Sequence, residues 1–202
     1  MYIDGTNLVG YKIKKSKTTE EKKAYIDTLL MVYDQRIANF GNEGKVLGRK
    51  GTDMLKYMSD QPELVFNTLE KSVQLGEDKS EAGALASYMT AAVLMERAKK
   101  IDAAKVVEIF DQVSNIIATN ITKYQGSKTQ EYYIKSQESV DGTASPYLSC
   151  EILVEMANKN YEQNKSDAKW MEKTADLLDR KGCTDAPIFF TIAKELHSNN
   201  PS

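Results

Sequence analysis

Hydrophobic residues along this chain recur mostly at steps of three or four, the spacing that places them on one face of an α-helix. The clearest case is a pair of runs, 80–99 and 103–123, joined by a very short connection. Asp102 is a suitable N-cap for the second run, and Asp78 or Ser80 for the first. So short a connection predicts two antiparallel helices packed side by side.

The same periodicity predicts helices along the rest of the chain. With their flanking cap residues, they are expected at 3–15, 18–41, 43–58, 62–75, 145–161, 167–181 and 184–196. Residues 125–145 are the least regular, with a short helix predicted at 132–139. This stretch is either an insertion or a boundary between two sub-stacks of helices.

Two glycines, Gly48 and Gly51, share one face of the helix predicted at 43–58. Glycine inside a helix costs about 1 kcal/mol relative to alanine. Their position therefore predicts close packing against a neighbouring helix.

Composition supports an all-helical chain with ordinary surface polarity. Among 202 residues, 41% are hydrophobic, 28% are charged and only 4 are proline, with a net charge of -2. This balance gives no reason to expect nucleic acid as a partner. The sequence has neither an apolar run long enough for a transmembrane helix nor a signal peptide at its start. Because residues 199–202 are typical of a junction between helices, we expect a piece of a longer protein.

Antiparallel helix pairs with small residues between them resemble tetratricopeptide repeats. Leu47-Gly48 corresponds to the Leu-Gly pair of the first repeat helix, and Leu69 and Ser72 to positions of the second. Pro201 corresponds to the proline that closes a repeat. The resemblance implies a right-handed α-solenoid of antiparallel helix pairs, formed as one domain by residues 1–202.

A narrower resemblance covers most of the chain. The runs 24–36 and 46–51, together with Ser149-Cys150-Glu151 and 182–185, are similar to tetratricopeptide-like proteins of gut-type anaerobic bacteria. Members of that group tend to be exported and to carry further repeats. The resemblance implies a periplasmic or cell-envelope location, and it implies no reaction.

Cys150 and Cys183 are the only cysteines. The first lies early in one predicted helix and the second follows the end of the antiparallel next helix. They are therefore predicted to come close enough for a disulfide, which would contribute about 3–4 kcal/mol. The alternative is that both are reduced core residues.

Three patterns that suggest chemistry are weak. His197 is the sole histidine, so neither a Cys-His dyad nor a zinc site is expected. Gly44-Lys45 lacks the preceding glycine and the following Ser or Thr of a phosphate-binding loop. We therefore expect no catalytic residues, no metal and no cofactor.

Aromatic and charged residues could form a binding groove on the concave face of the stack. The candidates are Tyr33, Arg36, Arg49, Asp53 and Tyr88, and Tyr and Arg are favoured at binding hot spots. In the alternative interpretation the tyrosines are core residues, and the arginines are solvated or paired with Asp34 or Asp53.

The function expected from these features is a protein-interaction scaffold that holds a peptide or a partner protein. The alternative is an envelope-associated binding domain for a small-molecule or glycan-linked ligand. An enzyme is the least supported reading, because no combination of nucleophile, base and orienting group is recognisable.

Overall fold

The computed structural model describes residues 2–199, with side chains described for residues 5–198. Over this range the chain forms ten α-helices and no strand, which confirms the all-α prediction. In chain order they are α1 (Tyr2–Lys15), α2 (Thr19–Phe40), α3 (Glu43–Tyr57), α4 (Pro62–Gly76), α5 (Ala82–Arg97), α6 (Ala103–Lys123), α7 (Lys128–Ala144), α8 (Cys150–Asn164), α9 (Ala168–Arg180) and α10 (Pro187–Asn199). The repeat-closing role predicted for Pro201 lies outside the described residues, as does the junction predicted at its end of the chain.

Several predicted helix ends are confirmed by their hydrogen bonds. The backbone N–H of Glu21 donates to the Thr18 side chain at 3.1 Å, and that of Lys105 donates to Asp102 at 2.9 Å. Gly41 closes α2 at a φ of 65°, a left-handed conformation that favours glycine.

Helices α3 and α4 pack closely and antiparallel. A Cβ placed on Gly51 would lie 2.5 Å from Leu69, and one on Gly48 would lie 2.8 Å from the Ser72 hydroxyl. The contact of Gly44 with the end of α4 continues the same antiparallel alignment. The close packing predicted from the two glycines is therefore confirmed.

Helices α3, α5 and α7 lie side by side and run in the same direction. Arg49 and Thr52 of α3 contact Glu81 and Ser87, respectively, so α3 and α5 are parallel. Likewise, the hydroxyls of Tyr133 and Ser136 donate to the carbonyls of Ser80 and Ala82. The intervening α6 is antiparallel to α7, since Gln137 contacts Ser114 and Gln130 contacts Ile121. The main contacts of each helix are with helices one or two places away in the chain.

The apolar core follows the chain. One cluster of buried side chains extends from Met54 to Ile192 and crosses residues 125–145 without a break. A smaller cluster, formed by Ile13, Leu29, Tyr33 and Val46, joins α1 and α2 to α3. How the chain divides into domains stays a prediction.

Several predicted helix limits are wrong. The helix predicted at 132–139 is the longer α7, whose inward face includes Tyr133 and Ser136. Helix α5 begins after Glu81, which makes no side-chain cap, and neither Asp78 nor Ser80 caps it. Its preceding residues, Glu77–Lys79, form a short 3-10 turn.

The helix predicted from Ser145 begins later. Ser145–Tyr147 form a second short 3-10 turn, and Ser149 is the N-cap of α8. The side chains of α8 that are fully buried are Leu153 and Ala157.

Candidate functional site

A cleft of about 760 Å³ lies along the side formed by α1, α3 and the first turns of α5 and α7, with part of α2 at its floor. Five tyrosines line it: Tyr11, Tyr33, Tyr57, Tyr132 and Tyr133. Four of the five binding residues predicted from the sequence, Tyr33, Arg36, Arg49 and Asp53, also line it.

At the floor of the cleft, Tyr33 and Asp53 form a closed pair. Tyr33 is only 5% exposed and its hydroxyl donates to Asp53 Oδ2 at 2.7 Å. Burial raises the pKa of Tyr33 well above its usual value, and the Asp53 carboxylate raises it further. The phenol therefore stays protonated and keeps Asp53 engaged.

A second pair connects α3 to the residue before α5. Arg49 donates two hydrogen bonds to the Glu81 carboxylate, from Nε at 2.7 Å and from the guanidinium end at 2.8 Å. Lys45 Nζ lies 3.1 Å from the same carboxylate. The hydrogen bond to Glu81 raises the pKa of Arg49 above its ordinary value. This two-pronged geometry fixes the planes of both groups.

Burial by itself raises the pKa of Glu81, but hydrogen bonds from Arg49 and Lys45 outweigh it and leave the pKa below its usual value. Glu81 is therefore ionised at neutral pH. The alternative interpretation left Arg49 solvated or paired with Asp34 or Asp53, whereas its partner is Glu81. Asp34 is paired with Lys50 of α3.

Two cations on the cleft wall have no such partner. Arg36 of α2 and Lys14 of α1 line the cleft and make no ion pair or side-chain hydrogen bond within the described residues. Another cation that lines the cleft, Lys56, does have a partner: its Nζ lies over the Tyr57 ring, 4.7 Å from the ring centroid.

Exposed tyrosines stand on opposite sides of the cleft. Tyr11 of α1 is 59% exposed and Tyr132 of α7 is 53% exposed. The neighbouring Tyr133 is buried, and its hydroxyl donates to the Ser80 carbonyl at 2.8 Å. That bond fixes the start of α7 against α5, and so holds Tyr132 at the rim.

Tyr88 does not belong to the cleft, so its predicted role in the groove is wrong. It is 2% exposed and its ring centroid lies 5.4 Å from that of Phe66. Its hydroxyl donates to Glu70 at 3.4 Å. Helix α5 is packed between α4, α6 and α7 over this part of its length, so Tyr88 is a core residue.

The sequence interpretation missed Glu81, Tyr11 and Tyr132 as cleft residues. Tyr11 and Tyr132 lie on helices whose apolar pattern is weak. Both residues lie on odd-numbered helices, and that shared placement is the one signal that could have indicated them.

Cys150 and Cys183 form a disulfide, with their Cα atoms 5.3 Å apart. It joins the first residue of α8 to the loop after α9. The loop is turned by Gly182 at a φ of 71°. The bridge lies far along the chain from the cleft residues.

The rest of the described chain offers little other chemistry. Within residues 5–198 no group of three His, Cys, Asp or Glu side chains is placed to hold a metal ion. His197 is exposed near the end of α10. None of the helices in the described part is both long and apolar enough to cross a membrane.

Comparison with models of protein families, with curated proteins and with solved structures found no match to this chain. The resemblance to tetratricopeptide repeats thus stays a prediction, and the cleft geometry is what bears on function.

Proposed function

We propose that this chain is a protein-interaction scaffold, a tetratricopeptide-like right-handed solenoid that holds a peptide or a partner protein in the cleft. The cleft carries this proposal: it is open, about 760 Å³ in volume, and lined by five tyrosines and several cations. Tyr and Arg are the side chains most enriched at the energetic centres of protein interfaces.

The arrangement of helices supports the solenoid. Alternate helices α3, α5 and α7 are parallel neighbours, and the helices between them run the other way. Stacked antiparallel pairs produce this pattern, and the first helices of such pairs form a concave surface. Those helices, together with part of α2, line the cleft.

The exposed area of the chain supports an extended shape. Its accessible surface is 11799 Å², whereas a compact monomer of this mass is expected to expose about 9,500 Å². Because a solenoid buries each helix only against near neighbours, an excess of surface is expected of it.

The proposed role is binding, and the cleft carboxylates support it. Asp53 and Glu81 are both held by intramolecular donors, an arrangement that rigidifies the cleft. Rigid walls lower the conformational entropy lost when a ligand binds.

A small-molecule or glycan-linked ligand is the second candidate. The cleft volume falls within the range of about 300–1,000 Å³ that is common for small-ligand sites. Its walls also combine aromatic rings with polar groups. Such a ligand would occupy the same residues.

The disulfide supports the location implied by the narrower sequence resemblance. Disulfides persist mainly in exported proteins, because the cytosol keeps thiols reduced. We infer that the chain works in an oxidising compartment, such as a bacterial periplasm or cell envelope.

Site-specific photo-cross-linking tests the proposed function. A benzophenone amino acid is placed at Tyr11 or Tyr132 in the cleft and, as a control, at the exposed Leu64 of α4. We expect a polypeptide to be cross-linked from the two cleft positions and not from Leu64. Cross-links from Leu64 alone, or none from the cleft in the native host, would contradict the proposal.

A further inference from the structure

The charges around the cleft are satisfied unequally. Both carboxylates that line it are engaged, Asp53 by the Tyr33 hydroxyl and Glu81 by Arg49 and Lys45. Among the described residues, the lining charges without an ionic or hydrogen-bonding side-chain partner are the cations Arg36 and Lys14. The charge that the cleft offers to a ligand is therefore positive.

Arg36 is the second residue of α2 that lines the cleft, after Tyr33. It follows Tyr33 by three residues on α2, so the two side chains share a helix face. The Tyr33 hydroxyl on that face donates to Asp53, and within the described residues no carboxylate pairs with Arg36. Arg36 is only partly exposed, and without a carboxylate partner in the described chain its guanidinium can form a charge-assisted bond with a ligand.

The cations favour a ligand with an anionic group, and the aromatic residues of the cleft wall indicate what kind of molecule carries that group. Tyr11 and Tyr132 leave more than half of their surface exposed on separate helices, α1 and α7. Burying a large exposed ring against the apolar or peptide surface of a ligand is energetically favourable. A lone small anion would leave both rings uncovered, whereas a peptide can contact the rings and the cations together.

We propose that the segment held in the cleft is an acidic stretch of polypeptide, with an Asp or Glu side chain bound by Arg36 and Lys14 and its flanking residues against Tyr11 and Tyr132. This inference rests on the proposed scaffold function and specifies its partner. Opposite charge on ligand and cleft also steers their encounter, so binding weakens as salt is added.

Selection from a display library of random short peptides tests the proposal with the full-length chain. We expect the wild-type chain to enrich peptides rich in Asp or Glu. The substitution Arg36→Glu should lower their affinity about tenfold, the loss expected for a charge-assisted hydrogen bond. The matched control is Lys22→Glu, which makes the same charge change on an exposed face of α2 outside the cleft, and it should leave affinity within about twofold.

The outcomes separate the specificity from the function. Peptides that bind the cleft without acidic enrichment, or that respond equally to Arg36→Glu and Lys22→Glu, would overturn the acidic partner and leave the scaffold standing. A library that yields no peptide sensitive to Arg36→Glu or to Tyr132→Ala would overturn both. Binding of heparin through Arg36, with no peptide enriched, would assign the cleft to an acidic oligosaccharide and overturn the peptide.

Discussion

At the scale of single residues, the close packing of α3 depends on two glycines, which have no side chain. Gly48 and Gly51 let α3 lie directly against Ser72, Ala84 and Leu69. Leu69 is completely buried, so it has little room to move if a methyl group is added nearby.

Replacing Gly51 by alanine should therefore destabilise the protein. Alanine normally stabilises a helix by up to about 1 kcal/mol relative to glycine, but overpacking against Leu69 should cost about 1–3 kcal/mol. The control is Gly142→Ala in α7, where a Cβ meets nothing within 4 Å. Chemical unfolding of both variants measures the difference, and an equal gain in stability from both would contradict the close packing.

The ion pair between Arg49 and Glu81 predicts a pH dependence. Because Glu81 has a folded-state pKa below its ordinary value of 4.5, the pair stabilises the fold above that pH. This contribution disappears as the pH falls through the folded-state pKa.

Glu81→Gln should lower the free energy of unfolding by about 1 kcal/mol at pH 7, since the pair is partly exposed and so partly screened by solvent. The difference from the wild type should shrink as the pH is lowered below the ordinary pKa. Urea titrations at several pH values measure it. A difference that stays constant with pH would show that ionisation of Glu81 does not stabilise the fold.

Residue roles were predicted most reliably where the signal was local. Thr18, Asp102 and Gly41 bond within a few residues of themselves, so their sequence neighbours determine their roles. The partner of Arg49 lies 32 residues away. Tyr88 has the periodic spacing of a core and of a groove alike, so the sequence could not assign it to either.

At the scale of elements, α7 shows why the weakest stretch of sequence was misjudged. Its inward face carries Ser136 and Tyr133, which donate hydrogen bonds to backbone carbonyls around the start of α5. Apolar periodicity does not register a helix that is docked partly by polar bonds. The long α5 and α6 were predicted well because their inward faces are almost wholly apolar.

The disulfide is the main covalent support of the last three helices. Helix α8 contributes just two fully buried side chains, Leu153 and Ala157, so its apolar packing is thin. The bridge from Cys150 to Cys183 closes the α8–α9 hairpin and restricts its unfolded states.

We expect no free thiol in the native, oxidised protein. The double substitution Cys150→Ser with Cys183→Ser should destabilise the α8–α10 region by about 3–4 kcal/mol. Hydrogen exchange should accelerate in α8–α10 and remain unchanged in α3–α5. Two titratable thiols in protein purified without reductant would refute the bridge.

At the scale of the whole molecule, the main contacts of each helix are with helices one or two places away in the chain. The periodic pattern predicted ten or so helices and their order, because each helix is encoded locally. The sequence predicted a binding groove and four of the residues that line the cleft, but not that α1, α3, α5 and α7 present their sides together there. Tyr11 and Tyr132 are distant in sequence, and they line the same cleft only because of that arrangement of helices.

Small-angle X-ray scattering of the monomer, separated by size-exclusion chromatography, tests whether the helices form the proposed open stack. A compact domain of 202 residues has a radius of gyration of about 16.5 Å. An open stack of helices should give a clearly larger radius and a pair-distance distribution with an extended tail. A radius at the compact value with a symmetric distribution would show that the helices share one centre, and would contradict the open stack on which the cleft depends.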